Sequence, residues 1–139
     1  MRKINKIVIH CSATPEGKPF TADDIRRWHT APVNRGGNGW KDIGYHYVVE
    51  LDGTVKRGRQ ESRIGAHCAG HNRDSIGVCY VGGVAADGRT PKDTRTPEQR
   101  RALYNLVGDL KARYPDSIVV GHNDLNKAKA CPCFKVVNI

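Results

Sequence analysis

Residues 44–58 read GYHYVVELDGTVKRG. An aromatic and β-branched run meets Asp52-Gly53, and a second short run follows, which spells an antiparallel hairpin closed by a tight turn. Further strands lie on either side of it. Residues 5–12, NKIVIHCS, form a short buried strand in which Ile7, Ile9 and Cys11 share one face and Val8 and His10 the other. SIGVCYVGG at 75–83 and SIVVGHND at 117–124 are two more, the last ending on His122. Helical patterns separate these strands. TADDIRRWHT at 21–30 carries Thr21 as N-cap, acids in its first turn, and Ile25 and Trp28 at helical spacing, which places Trp28 in the core. Pro32 ends that helix, and NRGGNG at 34–39 is expected to be a mobile loop. A second helix has Thr96 as N-cap, Pro97 at its first position and Gln99 completing a capping box. Leu103, Leu106, Val107 and Leu110 make its apolar stripe, and Pro115 closes it. One hairpin set among alternating strands and helices predicts an α/β fold with a mixed central sheet flanked by helices.

The chain has 139 residues, enough for one domain (1–139) with a core that needs no staples. No apolar run reaches the ~20 residues that span a bilayer, so no membrane insertion is expected. The start, MRKINKIVIH, lacks the apolar segment and small-residue cleavage site of a signal peptide, and reads as the first strand. Synthesis in the cytoplasm without an export address follows as an expectation. Net charge is +9, which suits a polyanionic partner such as nucleic acid, anionic lipid or cell wall. Aromatics are only 6% and do not interleave with a basic run, so specific nucleic-acid binding is not expected. Five cysteines, at 11, 68, 79, 131 and 133, are an odd number, favouring free thiols or metal ligation over a disulfide framework. Cys11, Cys68 and Cys79 read as small apolar fillers.

Chemistry concentrates at strand ends. His10 and His122 end the first and last strands, and Cys131 lies beyond the latter in KAKACPCF, residues 127–134. Two imidazoles and a thiolate are ordinary zinc ligands, and three protein ligands leave a fourth position for water. With Cys133 added, the same residues make a closed Cys₂His₂ site. Residues 129, 131 and 133 point the same way in an extended chain, whereas one-residue cysteine spacing is tighter than zinc clips use. Spacing leaves both arrangements open. Pro132 biases Cys131 towards an extended backbone.

Four ordered motifs go further: IVIHCSAT at 7–14, DIGYHYVVELDGTVKRGR at 42–59, GAHCAGHNRDSIGVCYVGG at 65–83 and KACPCF at 129–134. Together they resemble the type-2 zinc-dependent N-acetylmuramoyl-L-alanine amidases. That family includes amidase-type phage lysozymes and is related to the peptidoglycan recognition proteins. The similarity runs from about residue 6 to residue 136. It implies a single-domain amidase fold, one Zn²⁺ per chain held by His10, His122 and Cys131, and Tyr45 and Lys129 as catalytic side chains. The implied reaction is hydrolysis of the amide between the lactyl group of N-acetylmuramic acid and L-alanine. Peptidoglycan is the implied partner, met by a monomeric phage or prophage lysis enzyme after its release to the wall. His67 and Asn72 are placed on the substrate groove, with a satisfied loop histidine and a turn-holding Asx bond as the plain alternatives. His46 alternates with Tyr45 and reads as structural.

The sequence departs from the family pattern at Cys133, where a small residue is more usual, and at Lys135, where an Asp usually follows the Phe. It also stops before a terminal helix seen in longer relatives. Two rival readings remain at this level. One is a peptidoglycan-recognition module without hydrolysis, against which the retained ligands, Tyr45 and Lys129 argue. The other is a basic nucleic-acid-binding protein with structural zinc, which would show steeply salt-dependent affinity.

Overall fold

The computed structural model describes residues 2–137. Strand β1 (Lys6–Cys11) lies near the middle of a five-stranded sheet. It pairs in parallel with β5 (Ser75–Tyr80) on one side and with β7 (Ile118–Gly121) on the other. Beyond β5 comes β3 (Tyr47–Val49), also parallel, and then β4 (Val55–Arg57), its antiparallel hairpin partner. The order is therefore β4-β3-β5-β1-β7, a mixed sheet as the hairpin predicted. Gly53 takes the turn with φ +90°, a conformation that a side chain would strain. Two short strands, β2 (Thr14–Pro15) and β6 (Gly83–Val84), pair separately.

Strand alternation sorts the core into two layers. Ile7, Ile9 and Cys11 face α2 (Pro97–Arg113), where they meet Leu103, Leu106, Val107 and Leu110. The α2 capping box forms as read, with Thr96 and Gln99 each bonding the other's backbone N–H. Gln99 is fully buried, and its amide reaches across to donate to the Val81 carbonyl at 2.9 Å, tying the helix start to the sheet. The opposite face carries Val48, Cys79 and Val81 against Ala22 and Ile25 of α1 (Ala22–Thr30). Leu110 has no exposed surface, and Leu110→Ala should cost about 2–5 kcal/mol. Urea unfolding would show a lower midpoint at unchanged slope.

Three local expectations change. Trp28 is 40% exposed and packs edge-on against Phe20, ring centroids 5.1 Å apart. Helical spacing sets its direction, but the buried residues of α1 are Ala22 and Ile25 alone. The 34–39 stretch is pinned, not free: after a 3₁₀ turn at Val33–Arg35, the N–H groups of Asn38, Gly39 and Trp40 donate to the carbonyls of Trp28, Ala31 and His29. These bonds occupy carbonyls that a helix end would otherwise leave open. The approach is so close that a Cβ on Gly37 would sit 2.1 Å from the Ala31 oxygen. Finally, His122 does not end a strand. It opens the one-turn helix α3 (His122–Leu125), because the Asp124 carboxylate accepts the Gly121 N–H at 2.8 Å.

Candidate metal and catalytic site

Parallel pairing brings distant residues together. Ile9 stands opposite Gly121 in the β1–β7 register, so the residues that follow each, His10 and His122, emerge side by side. Their rings lie 4.7 Å apart between centroids. This is the C-terminal edge of the parallel strands, where open α/β sheets place their ligands. Cys131 reaches the same point from the loop after α3. One donor atom from each of His10, His122 and Cys131 falls within 4.8 Å of the others. His10 turns Nδ1 towards Cys131, 3.7 Å from its Sγ.

The loop carrying Cys131 is held on several sides. Its carbonyl accepts the Asn123 N–H at 2.8 Å, joining it to α3. The Tyr80 hydroxyl donates to the Pro132 carbonyl at 2.7 Å, and Arg95 stacks over the Phe134 ring at 3.4 Å. The loop is a turn, not an extended run. Cys133 donates its N–H to the Ala130 carbonyl and has φ +69°, so side-chain parity between 131 and 133 fails. Cys133 instead aims its sulfur at Cys11, 3.8 Å away. The donor cluster forms without it.

Electrostatics suit a cation at this point. Burial lowers the His10 pKa well below the ordinary value, helped by His67 and His122. Burial and the Lys129 charge also lower that of His122. Both imidazoles are therefore neutral near pH 7, with lone pairs free to ligate. The Cys11 N–H donates to Cys131 Sγ at 3.2 Å, which holds the sulfur beside His10. Two neutral imidazoles and one thiolate fit zinc in donor type and number.

Tyr45 borders the cluster, its ring 5.2 Å from that of His10. Burial raises its phenol well above the usual range, so it stays protonated and can donate. Sequence reading overlooked His29, which packs behind Tyr45 at 5.5 Å and accepts the Gly44 N–H at 2.9 Å. Lys129 is exposed on the loop between α3 and Cys131, its N–H tied to the Asn126 carbonyl. His67 and Asn72, expected on the substrate groove, are engaged inside the protein. His67 Nδ1 is 2.9 Å from His10 Nε2, and its Nε2 is 3.2 Å from Ser75 Oγ. Asn72 Oδ1 accepts the N–H groups of His67 and Cys68 at 3.0 and 2.9 Å.

His46 is structural, as its alternation with Tyr45 implied. Nδ1 accepts the Gly77 N–H at 3.0 Å and Nε2 donates to the Arg63 carbonyl at 2.8 Å. Burial lowers its pKa from 6.5 to about 4. Between those values the unfolded chain binds a proton that the folded one refuses, so stability falls as pH drops from about 6.5 through about 4. The full loss from this group is about 3 kcal/mol. Urea unfolding of metal-free protein at pH 7 and pH 4.5 should show a decline that His46→Gln makes shallower.

The molecule is thus a mixed α/β fold with a candidate two-histidine, one-cysteine metal site at its parallel-strand edge. Comparison with known proteins gives the family. The family described as N-acetylmuramoyl-L-alanine amidase matches residues 1–134, and the chain belongs to it. The endolysin of Enterobacteria phage K11 is 38% identical over 133 residues, covering 96% of this chain and 83% of that protein. The endolysin of Escherichia phage T7 is 39% identical over 128 residues, covering 92% and 80%. Among solved structures, the endolysin amidase LysCS from Clostridium intestinale URNW superposes with a TM-score of 0.75 at 27% identity, covering 94% of this chain and 76% of that one. Drosophila PGRP-LB gives 0.74 at 26% identity, covering 95% and 76%. The chain is thus an enzyme of the amidase class, with the sheet and helices of its structural relatives. No helix among the described residues is long and apolar enough to cross a membrane.

Proposed function

We propose that this amidase is zinc-dependent and cleaves the bond between the lactyl group of N-acetylmuramic acid and L-alanine in peptidoglycan. The observation that carries this is the convergence of His10, His122 and Cys131 donor atoms within 4.8 Å, with Tyr45 alongside. One zinc per chain would be held by those three residues. When bound, it supplies Lewis acidity towards a carbonyl and towards water. The protein's own groups do the rest. Lys129 presents a flexible cation to the oxygen that gains charge as the carbonyl becomes tetrahedral. Tyr45, kept protonated by burial, donates a hydrogen bond to the reacting oxygen and passes a proton towards the leaving amine. The endolysin relatives support a phage or prophage lysis role, acting on the cell wall. The +9 charge would assist contact with an anionic wall at low salt.

Purified sacculi provide the test. Zinc-loaded protein should release new L-alanine amino termini without new reducing sugar ends, and a chelator should stop it. Zinc-loaded protein that yields no amino termini would defeat the proposal. A recognition-only reading has one observation in its favour. Structures of peptidoglycan recognition proteins, including the LCa–LCx ectodomain complex with tracheal cytotoxin, cover 95% of this chain at a TM-score of 0.74. Under that reading sacculi are bound but left intact.

A further inference from the structure

We propose that His67 is a positioning residue that locks His10 in one tautomer, through the hydrogen-bonded chain Ser75–His67–His10. His10 directs Nδ1 towards Cys131, so its lone pair must lie there for ligation and its proton must sit on Nε2. Nε2 is 2.9 Å from His67 Nδ1, which therefore accepts. The His67 proton is then on its own Nε2, 3.2 Å from the hydroxyl of the fully buried Ser75, to which it donates. Each bond fixes the sense of the next, and no ring nitrogen of His67 remains for a substrate.

The surroundings are shaped to hold this ring. Asn72 pins the His67 and Cys68 N–H groups with one oxygen. Glycines flank the imidazole: a Cβ on Gly65 would lie 2.8 Å, and one on Gly77 2.6 Å, from its carbon atoms. Any side chain at either position would push His67 off His10. Ligating histidines commonly give their second N–H to a carboxylate or carbonyl, which orients the ring. Here the acceptor is a neutral imidazole. It orients the ligand equally well but adds no negative charge to the site, leaving more of a bound cation's charge for a carbonyl oxygen.

The tautomer and the affinity consequence both rest on the zinc reading above, and the spectra below read the tautomer separately from zinc binding. Long-range ¹H–¹⁵N spectra of the metal-free protein should show His10 and His67 both protonated on Nε2. His67→Phe fills the slot without an acceptor. It should leave His10 as a mixture of tautomers and weaken zinc, measured by competition with a chromophoric chelator, about 10–100-fold. His67→Asn keeps an acceptor where Nδ1 stands and should recover much of that loss. His10 protonated on Nδ1 in the wild type overturns the proposal, whether or not His67→Phe folds. So does a His67→Phe protein with wild-type tautomer and wild-type zinc affinity. Wild-type protein with the Nε2–H pattern that binds no zinc would uphold the lock and remove the zinc reading.

Discussion

Cys131→Ser should emerge from purification without zinc and without amidase activity, while Cys133→Ser keeps both. The two thiols stand one proline apart, yet their sulfurs face different partners. Cys131 Sγ looks towards His10 Nδ1 at 3.7 Å and receives the Cys11 N–H, whereas Cys133 Sγ lies against the Cys11 thiol. A hydroxyl is a poor replacement for thiolate at a borderline-soft cation, and two imidazoles alone make an incomplete ligand set. The loss of affinity should therefore exceed the about 10–100-fold typical of removing an outer hydrogen-bond partner. Metal content per chain, read by elemental analysis, and amino-terminus release from sacculi are the paired measurements. Equal zinc loss in both variants would instead support a closed four-ligand site.

Lys129→Ala should lower kcat by about 10²–10³ while zinc content stays at the wild-type level. Lys129 donates nothing to the cluster of donor atoms, so its removal leaves the metal ligands in place. Its side chain is exposed and its charge is felt at His122, which puts a mobile cation at the rim of the site. Such a group contributes where negative charge grows during the reaction, so the loss belongs in turnover more than in substrate binding. Lys129→Arg would keep the charge but not the compact ammonium, and should recover only part of the rate. Wild-type turnover in Lys129→Ala would end the proposed role.

Much of the framework was legible because it is encoded over short distances. The α2 capping box, its leucine stripe and the Asp52-Gly53 turn depend on residues within one or two turns of each other, and all three form as read. The β1 alternation that sends Ile7, Ile9 and Cys11 to the α2 face is equally local. Where reading failed, the missing information was an opposing surface. Trp28 has helical spacing, but spacing does not say whether a layer covers it. Glycine-rich 34–39 looked free because its partners are carbonyls of the preceding helix, invisible to composition.

The candidate site divides in the same way. Residue types pointed to His10, His122 and Cys131, with or without Cys133, as ligands, and the family resemblance carried by the four motifs implied the three-ligand set with Tyr45 and Lys129 as catalytic side chains. Why the first three meet is a matter of register: Ile9 opposite Gly121 is what brings residues 112 apart in sequence edge to edge. Which cysteine joins them was undecidable from one-residue spacing, and the turn at Ala130–Cys133 decides it by rotating the second sulfur away. His67 shows the limit most clearly. Sequence left it open between a groove residue and a satisfied loop histidine, whereas the packed fold sets its Nδ1 2.9 Å from His10 Nε2 and its Nε2 3.2 Å from Ser75 Oγ. Sequence by itself determined the elements, the core stripes and the donor chemistry, because these follow from local backbone preference and side-chain type. Tertiary structure decided which donors converge and what holds them, because those depend on strand register and close packing between segments that share no local sequence.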